Sequence, residues 1–365
     1  MRAPTTIWMT AAAVVLLLAA PAAAVAVPQA SISTPPPAPE RANDAGEPLR
    51  AVLANVGNVS PHCAEQAFSL CLIPVEERVA AGLAALDPDI VGLIEVLPPH
   101  LCDGVLPRNP FNSCAQEQDP PQAQRLLAHD DYDIVCGERH EWDCLAVRSS
   151  LGSIEDCEGG YCGPVAPSLP APEGCDDGFE SFVVQVDIDG SPLHVGVAHP
   201  NSTDTDCRTQ ELIDLFEAIP ADGEALLLAD ANVDPYREQD ASTEVWDAHV
   251  GDGRPLSLIS GIVEHDPPHY TLLPFESAQV DPTGQVPVNV ELRDAVLART
   301  IDHALVTDGL DGRCTTLGEA PGTERLEGER GGLDHRALDC EVEGLGGARP
   351  GPDPVRLPGW VPWAR

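Results

Sequence analysis

Leu226-Leu227-Leu228-Ala229-Asp230-Ala231-Asn232-Val233-Asp234-Pro235 carries an apolar run straight into three polar side chains. Ala225 to Ala229 fits a buried strand by length and composition, and Asp234-Pro235 is a turn signal that stops it. Asp230 and Asn232 stand two residues apart, so on extended backbone both side chains leave the same face. One is an anionic acceptor, the other a neutral amide that both donates and accepts. Such a pair at a strand's end can orient a water or hold a cation while bonding an anionic oxygen. Taken alone, the same letters also fit an Asx turn that caps the strand.

The arrangement recurs along the chain. Leu49 to Val56 reads as a strand ending at Asn55, and Ile90 to Ile94 as an apolar strand with Glu95 at its mouth. A carboxylate in that position is costly unless solvated, paired or metal-bound. Phe179 to Ile188 alternates as a strand, Asp189-Gly190 is a hairpin signal, and Pro192 to Ala198 returns to end at His199. Tyr132 to Cys136 and Cys144 to Val147 read as a second hairpin with Arg148 at its end. Thr300 to Val306 is a strand containing Asp302, and Leu333-Asp334-His335-Arg336 leads into a last strand over Ala337 to Val342. Helices are expected over 75–86, 122–128 and 208–219, with an irregular region after Pro235.

Composition sets the frame. Residues 7–20 are apolar, Arg2 precedes them and Pro21-Ala22-Ala23-Ala24 follows, which is a signal-peptide layout over 1–24. The segment is short for a membrane span and no second apolar run of spanning length follows, so an exported, soluble chain is expected. Residues 25–48, rich in Pro, Ala and Ser, read as a disordered linker. One large domain then covers 49–343, with a Cys/Gly/Pro-rich surface insertion at about 149–178 and a Pro/Gly-rich tail over 344–365. The 12 cysteines of an exported chain favour disulfides. Local bridges are expected for Cys136 with Cys144 and for Cys157 with Cys162.

The formal net charge is −39 and there is no lysine. Tight binding of a polyanion needs clustered cations, so nucleic acid is disfavoured as a partner, and the acidity equally serves solubility. Asn201-Ser202-Thr203 and Asn58-Val59-Ser60 fit a glycosylation acceptor pattern and also ordinary turns.

Singly, each strand-end residue has a bland account: Asn55 as a turn cap, Glu95 as a solvated acid, His199 as a loop histidine, Asp302 as a partner of Arg299, Asp334 as an N-cap. In order they are less ordinary. Leu53-Ala54-Asn55-Val56-Gly57, Asp89 to Val96 ending in Ile94-Glu95-Val96, Val197-Ala198-His199, Arg208-x-Gln210-x-Leu212, Leu228-Ala229-Asp230-Ala231-Asn232-x-Asp234-Pro235, Thr300-Ile301-Asp302-His303 and Leu333-Asp334-His335-Arg336 follow one another across nearly the whole domain. That order resembles the endonuclease/exonuclease/phosphatase superfamily, the deoxyribonuclease-I-like fold. Ala229 and Ala231 depart from the glycine and the bulky residue of the family's Gly-Asp-Phe-Asn motif.

The resemblance implies an α+β sandwich of four layers, α-β-β-α, with two packed mixed sheets flanked by helices. It implies a divalent-cation-dependent hydrolase of phosphate esters; a monomer is expected. By resemblance Glu95 and Asp334 hold Mg²⁺, or Mn²⁺ or Ca²⁺. Asp230 orients or deprotonates the attacking water, and His199 binds phosphate or protonates the leaving oxygen. His335 faces phosphorus and is oriented by Asp302, while Asn55 and Asn232 donate to phosphate oxygens. Arg148 is a further phosphate-contact candidate, against the alternative of a solvated surface arginine. A deoxyribonuclease-type nuclease, a sphingomyelinase-type phosphodiesterase and a non-catalytic cation- or partner-binding protein remain as alternative uses of the same residues.

Overall fold

The computed structural model describes residues 48–56, 73–97, 120–127, 131–137, 142–157, 159–166, 168–175, 180–221, 223–235, 239–251, 253–260, 271–272, 298–299, 301–316 and 337–345. The leader, the linker up to residue 47 and most of the tail, residues 346–365, lie outside them. So do the Asn58 acceptor site and the segment 331–336.

In chain order the elements are β1 (Leu49–Asn55), α1 (Ile73–Leu86), β2 (Ile90–Val96), α2 (Gln122–Leu127), β3 (Tyr132–Gly137), β4 (Trp142–Arg148), β5 (Gly152–Ile154) and β6 (Tyr161–Ala166). They continue with β7 (Glu180–Ile188), β8 (Ser191–His199), α3 (Thr205–Ala218), β9 (Ala225–Asp230), α4 (Ala241–His249) and β10 (Leu256–Leu258). After these come β11 (Thr271–Leu272), β12 (Ala298–Arg299), β13 (Asp302–Thr307), β14 (Asp311–Thr316) and β15 (Leu338–Glu343). One mixed sheet runs β14-β15-β1-β2-β4-β3-β6 and the other β10-β13-β9-β8-β7-β5, with β11 and β12 pairing apart.

The period of two along each strand builds the layers. In β9, Leu226 and Leu228 join Leu53, Ile90, Leu145, Val195 and Ala304 in the core between the sheets, whereas Leu227 and Ala229 face α3 and α4. In β1, Leu53 points inward, whereas Val52 and Ala54 lie with the buried faces of α1 and α2. Four layers result, helix on sheet on sheet on helix. At Gly92 the two sheets approach closely: a Cβ there would lie 3.2 Å from Leu228 Cβ, so a larger residue would force Leu228 to shift.

Several expectations shift in detail. Residues 149–178, read as a surface insertion, supply β5 and β6, edge strands of the two sheets. Helix α3 begins three residues before Arg208, because the Asp204 carboxylate accepts from the backbone N–H groups of Asp206 (2.9 Å) and Cys207 (3.1 Å) and caps it. The region after Pro235 holds α4, capped in the same way by Asp240, and β14 fills part of the expected loop before the last strand. Four disulfides tie described residues. Cys136–Cys144 and Cys157–Cys162 are as expected, and Cys175–Cys207 and Cys314–Cys340 join elements distant in sequence. No helix among the described residues is long and apolar enough to cross a membrane.

Candidate active site

Strand phase decides which polar groups meet. Asn55 continues the inward series of Ala51 and Leu53. His199 continues Leu193, Val195 and Val197, and Asp230 continues Leu226 and Leu228. Asp302 shares the phase of Ala304 and Val306. Strands β1 and β2 run parallel, as do β8 and β9, and β13 runs antiparallel to β9. The C-terminal ends of the first four and the start of β13 therefore open on one edge of the sandwich.

Glu95 reaches that edge by another route. Simple alternation would turn it outward with Val91 and Leu93. Instead a register shift between Leu93 and Val96 inserts it as a bulge, with φ at +60°. Left-handed backbone costs a non-glycine residue about 1 kcal/mol, and strain of this kind concentrates where a side chain must be aimed. The Glu95 backbone N–H donates to Asp143 Oδ1 at 3.0 Å.

The side chains then converge. Asn55 Nδ2 donates to Asp230 Oδ2 at 2.9 Å and to Glu95 Oε1 at 3.3 Å. His199 Nε2 lies 3.6 Å from Glu95 Oε1 and 3.9 Å from Asp230 Oδ2, and its Nδ1 lies 4.0 Å from Asp143 Oδ1. One ligand atom each from Glu95, His199 and Asp230 falls within 4.8 Å of the other two. All three are buried. Asn232, also left-handed at φ +51°, donates its backbone N–H to Asp230 Oδ1 at 3.3 Å and its Nδ2 to the Pro200 carbonyl at 3.0 Å. It thereby ties the Asp230 strand end to the His199 loop. Asp302 sits directly opposite Asp230 across the β9–β13 pair.

The donor set fits a divalent cation. Two carboxylates brought together out of water repel one another. The neutral amide of Asn55 supplies hydrogen bonds and no charge, so a cation beside them would lower the free energy of the cluster. Carboxylate oxygens with one imidazole nitrogen suit Mg²⁺ or Mn²⁺ and exclude none of the harder ions.

The structure thus brings together Asn55, Glu95, His199, Asp230, Asn232 and Asp302. It does not bring Arg148 to them. Ile90 pairs with Val147, which puts Arg148 beside the start of β2, at the end of the sheet away from Glu95. There the Arg148 guanidinium pairs with Asp87 at 2.5 Å and Asp89 at 3.5 Å and donates to Pro88 O and the Tyr132 hydroxyl. It is neither a phosphate contact at this edge nor a solvated surface group. Asp334 and His335 lie outside the described residues, as does the side chain of Arg299.

Two inward residues at the same edge escaped the sequence reading. Asp143 shares the phase of Leu145 and Val147 and is fully buried. Glu180 pairs with His199 across β7 and β8, bonds to Ser168 Oγ, and lies against Gly137, where a Cβ would occupy the space of its carboxylate. Alternation carried one residue back from Cys144 reaches Asp143, and Glu180 already lies inside the strand expected from Phe179, in phase with Phe182 and Val186. Asn201 is buried and its Oδ1 accepts from Thr203 N (2.9 Å) and Asp204 N (2.8 Å), so the pattern there is an Asx turn.

No family model matches the chain, and no curated protein matches it in sequence. Solved structures do match in fold. The D. rerio TDP2 structure complexed with a single-strand DNA product has a TM-score of 0.52 at 15% identity, covering 81% of this chain and 98% of that one. The human Nocturnin catalytic domain with bound sulfate anion has a TM-score of 0.52 at 14% identity, covering 81% and 93%. An endonuclease/exonuclease/phosphatase from Bacteroides vulgatus has a TM-score of 0.51 at 15% identity, covering 81% and 98%. With two mixed sheets between helices and the acidic edge just described, this chain has the endonuclease/exonuclease/phosphatase fold.

Proposed function

We propose that the protein is an exported phosphoesterase that hydrolyses phosphate esters with a divalent cation. The observation that carries the reading is the convergence of Glu95, His199 and Asp230, far apart in sequence, on one buried cluster. The neighbouring structures that hold a sulfate anion or a DNA product support it by analogy of fold.

Hydrolysis of a phosphate ester needs negative charge neutralised and a water held against phosphorus. Glu95, with Asp230 and His199 beside it and Asp334 joining it by resemblance, would hold Mg²⁺, or Mn²⁺ or Ca²⁺, which when bound polarises the phosphoryl oxygen. Asp230 orients or deprotonates the attacking water, and Asn55 keeps that carboxylate in place. His199 binds the phosphate or protonates the leaving oxygen. Asn232 and Asn55 donate to phosphate oxygens once substrate competes for their amides. By resemblance, His335 would face phosphorus and Asp302 would orient it. Strand β15 begins at Leu338, which pairs with Leu53, two residues before Asn55.

The substrate is a phosphodiester of low overall charge. A net charge of −39 without a lysine opposes the approach of a polyanion such as duplex DNA, and far less that of a zwitterionic lipid head group or a small diester. The four disulfides among the described residues support export. The test is to incubate purified protein, with Mg²⁺, Mn²⁺ or Ca²⁺ and with chelator, against an aryl phosphodiester, sphingomyelin and duplex DNA. Cation-dependent cleavage of the first or second supports the reading. Cleavage of DNA alone makes the protein a nuclease, and no cleavage of any substrate favours a non-catalytic cation-binding role.

A further inference from the structure

We propose that Asp143 is a positioning residue for both Glu95 and His199, an inference that rests on the cation-site reading above. Asp143 stands at the start of β4, fully buried, on the face of the sheet that looks into the sandwich. One of its oxygens, Oδ1, does two things. It accepts the backbone N–H of Glu95 at 3.0 Å and lies 4.0 Å from Nδ1 of His199, on the ring's side away from the carboxylate pair.

The first contact bears on strain. Glu95 is in the left-handed region at the bulge between Leu93 and Val96, where β2 and β4 fall out of register. A bulge leaves the inserted residue without a ladder partner, and a buried N–H left without an acceptor is disfavoured. Asp143 supplies that acceptor from the neighbouring strand, and so helps hold the left-handed conformation in which the Glu95 carboxylate meets Asn55 and His199. Hydrogen bonds to the other side of the bulge come from Val56 N–H to Ile94 O (2.9 Å) and from Leu97 N–H to Gln122 Oε1 (2.9 Å). Asn55 reaches the Glu95 carboxylate, whereas Asp143 acts on the Glu95 backbone while also facing His199. The second contact bears on orientation, since a carboxylate beside Nδ1 favours the ring setting that presents Nε2 to Glu95 and Asp230.

The test uses Asp143→Ala and Asp143→Asn in the full chain, read by Mn²⁺ titration, by kcat and KM on an aryl phosphodiester, and by thermal melting to confirm folding. Asparagine keeps a neutral acceptor for the Glu95 N–H and removes the charge facing His199; alanine removes both. Alanine should weaken Mn²⁺ binding about 10–100-fold, and asparagine should leave it within about threefold while lowering kcat about tenfold at little-changed KM. A purely structural aspartate would lower melting temperature in both variants without separating cation affinity from kcat. Mn²⁺ affinity and kcat unchanged in a folded alanine variant would overturn the assignment. Should alanine not fold, an asparagine variant with parental kcat overturns it equally. A parent protein that binds no Mn²⁺ and cleaves nothing overturns the cation-site reading itself, and the positioning role with it.

Discussion

Asp230 and Asp302 stand directly opposite each other across β9 and β13, both 1% exposed. Because the Ala231 N–H donates to Ile301 O at 2.8 Å, residues 231 and 301 form the hydrogen-bonded pair. The two aspartates therefore occupy the neighbouring position, where cross-strand side chains approach most closely. Like charges placed so oppose folding, and a protein that keeps them trades stability for chemistry. Asp302→Asn should melt at or above the parent temperature while losing about 10–100-fold in turnover. Melting curves and kcat on the same preparation check this, and a lowered melting temperature with full turnover would contradict it.

Asn55 is the neutral link in the cluster, its amide shared by Glu95 and Asp230. Asn55→Ala leaves two buried carboxylates without that donor and should cost about 1–3 kcal/mol. Urea unfolding measures the loss, which should be smaller in Mn²⁺ than in chelator, because a cation bound to the folded state offsets it. An equal loss in both conditions would count against the cation.

Much of this edge was legible in the sequence because it depends on local period. Asn55, His199 and Asp230 each end an apolar strand in the inward phase. What failed depended on pairing between distant segments. Arg148 ends a strand as plainly as His199 does, but which end of the sheet it reaches follows from β4 running antiparallel to β2. Asp143 is missed because the second strand of that hairpin is expected from Cys144, whereas β4 begins two residues earlier, at Trp142. Glu95 was correctly singled out, yet alternation alone would turn it outward, and only the bulge explains its aim. Helix α4 is nine residues long and its Asp240 cap was its main local signal. Strands β5 and β6 are short edge strands, each containing a glycine, and β6 also holds Pro164, so neither shows the alternation that marks half-buried strands.

At the far end of the sheet, burial pushes the Tyr132 hydroxyl up to about 12, against the opposing pull of Arg148, while its O–H donates to Pro88 O at 2.6 Å. Its ordinary value is 10.0, so the unfolded chain loses this proton first. The stability that the neutral phenol contributes is intact below about pH 10 and is lost as pH climbs towards 12. Burial raises Tyr161 in the same direction. Tyr132→Phe should move the alkaline unfolding midpoint to higher pH. Arg148→Ala should destabilise by about 1–3 kcal/mol at neutral pH while leaving turnover unchanged, as its position away from the site requires.

Asp240 caps α4 and receives Arg208 from α3 at 3.2 Å. Burial works to raise its pKa, but hydrogen bonds from Ser242 and Thr243 and the charge of Arg208 outweigh that and hold it below the usual 3.8. Its contribution is therefore present above about pH 4 and fades as pH falls through the lowered value. Asp240→Ala should cost about 1 kcal/mol at pH 7 and less in acid, as urea titrations at several pH values would show.

The central claim is that Glu95, His199 and Asp230 form the cation-dependent centre of a phosphoesterase. Its most direct test is the initial rate of aryl phosphodiester hydrolysis by the purified parent and its Glu95→Ala variant, each with Mg²⁺ and with chelator. The account predicts a parental rate that chelator abolishes and Mg²⁺ restores, and a folded Glu95→Ala protein slower by roughly three or more orders of magnitude under both conditions. A parental rate indifferent to chelator, or near-normal turnover without Glu95, would contradict it.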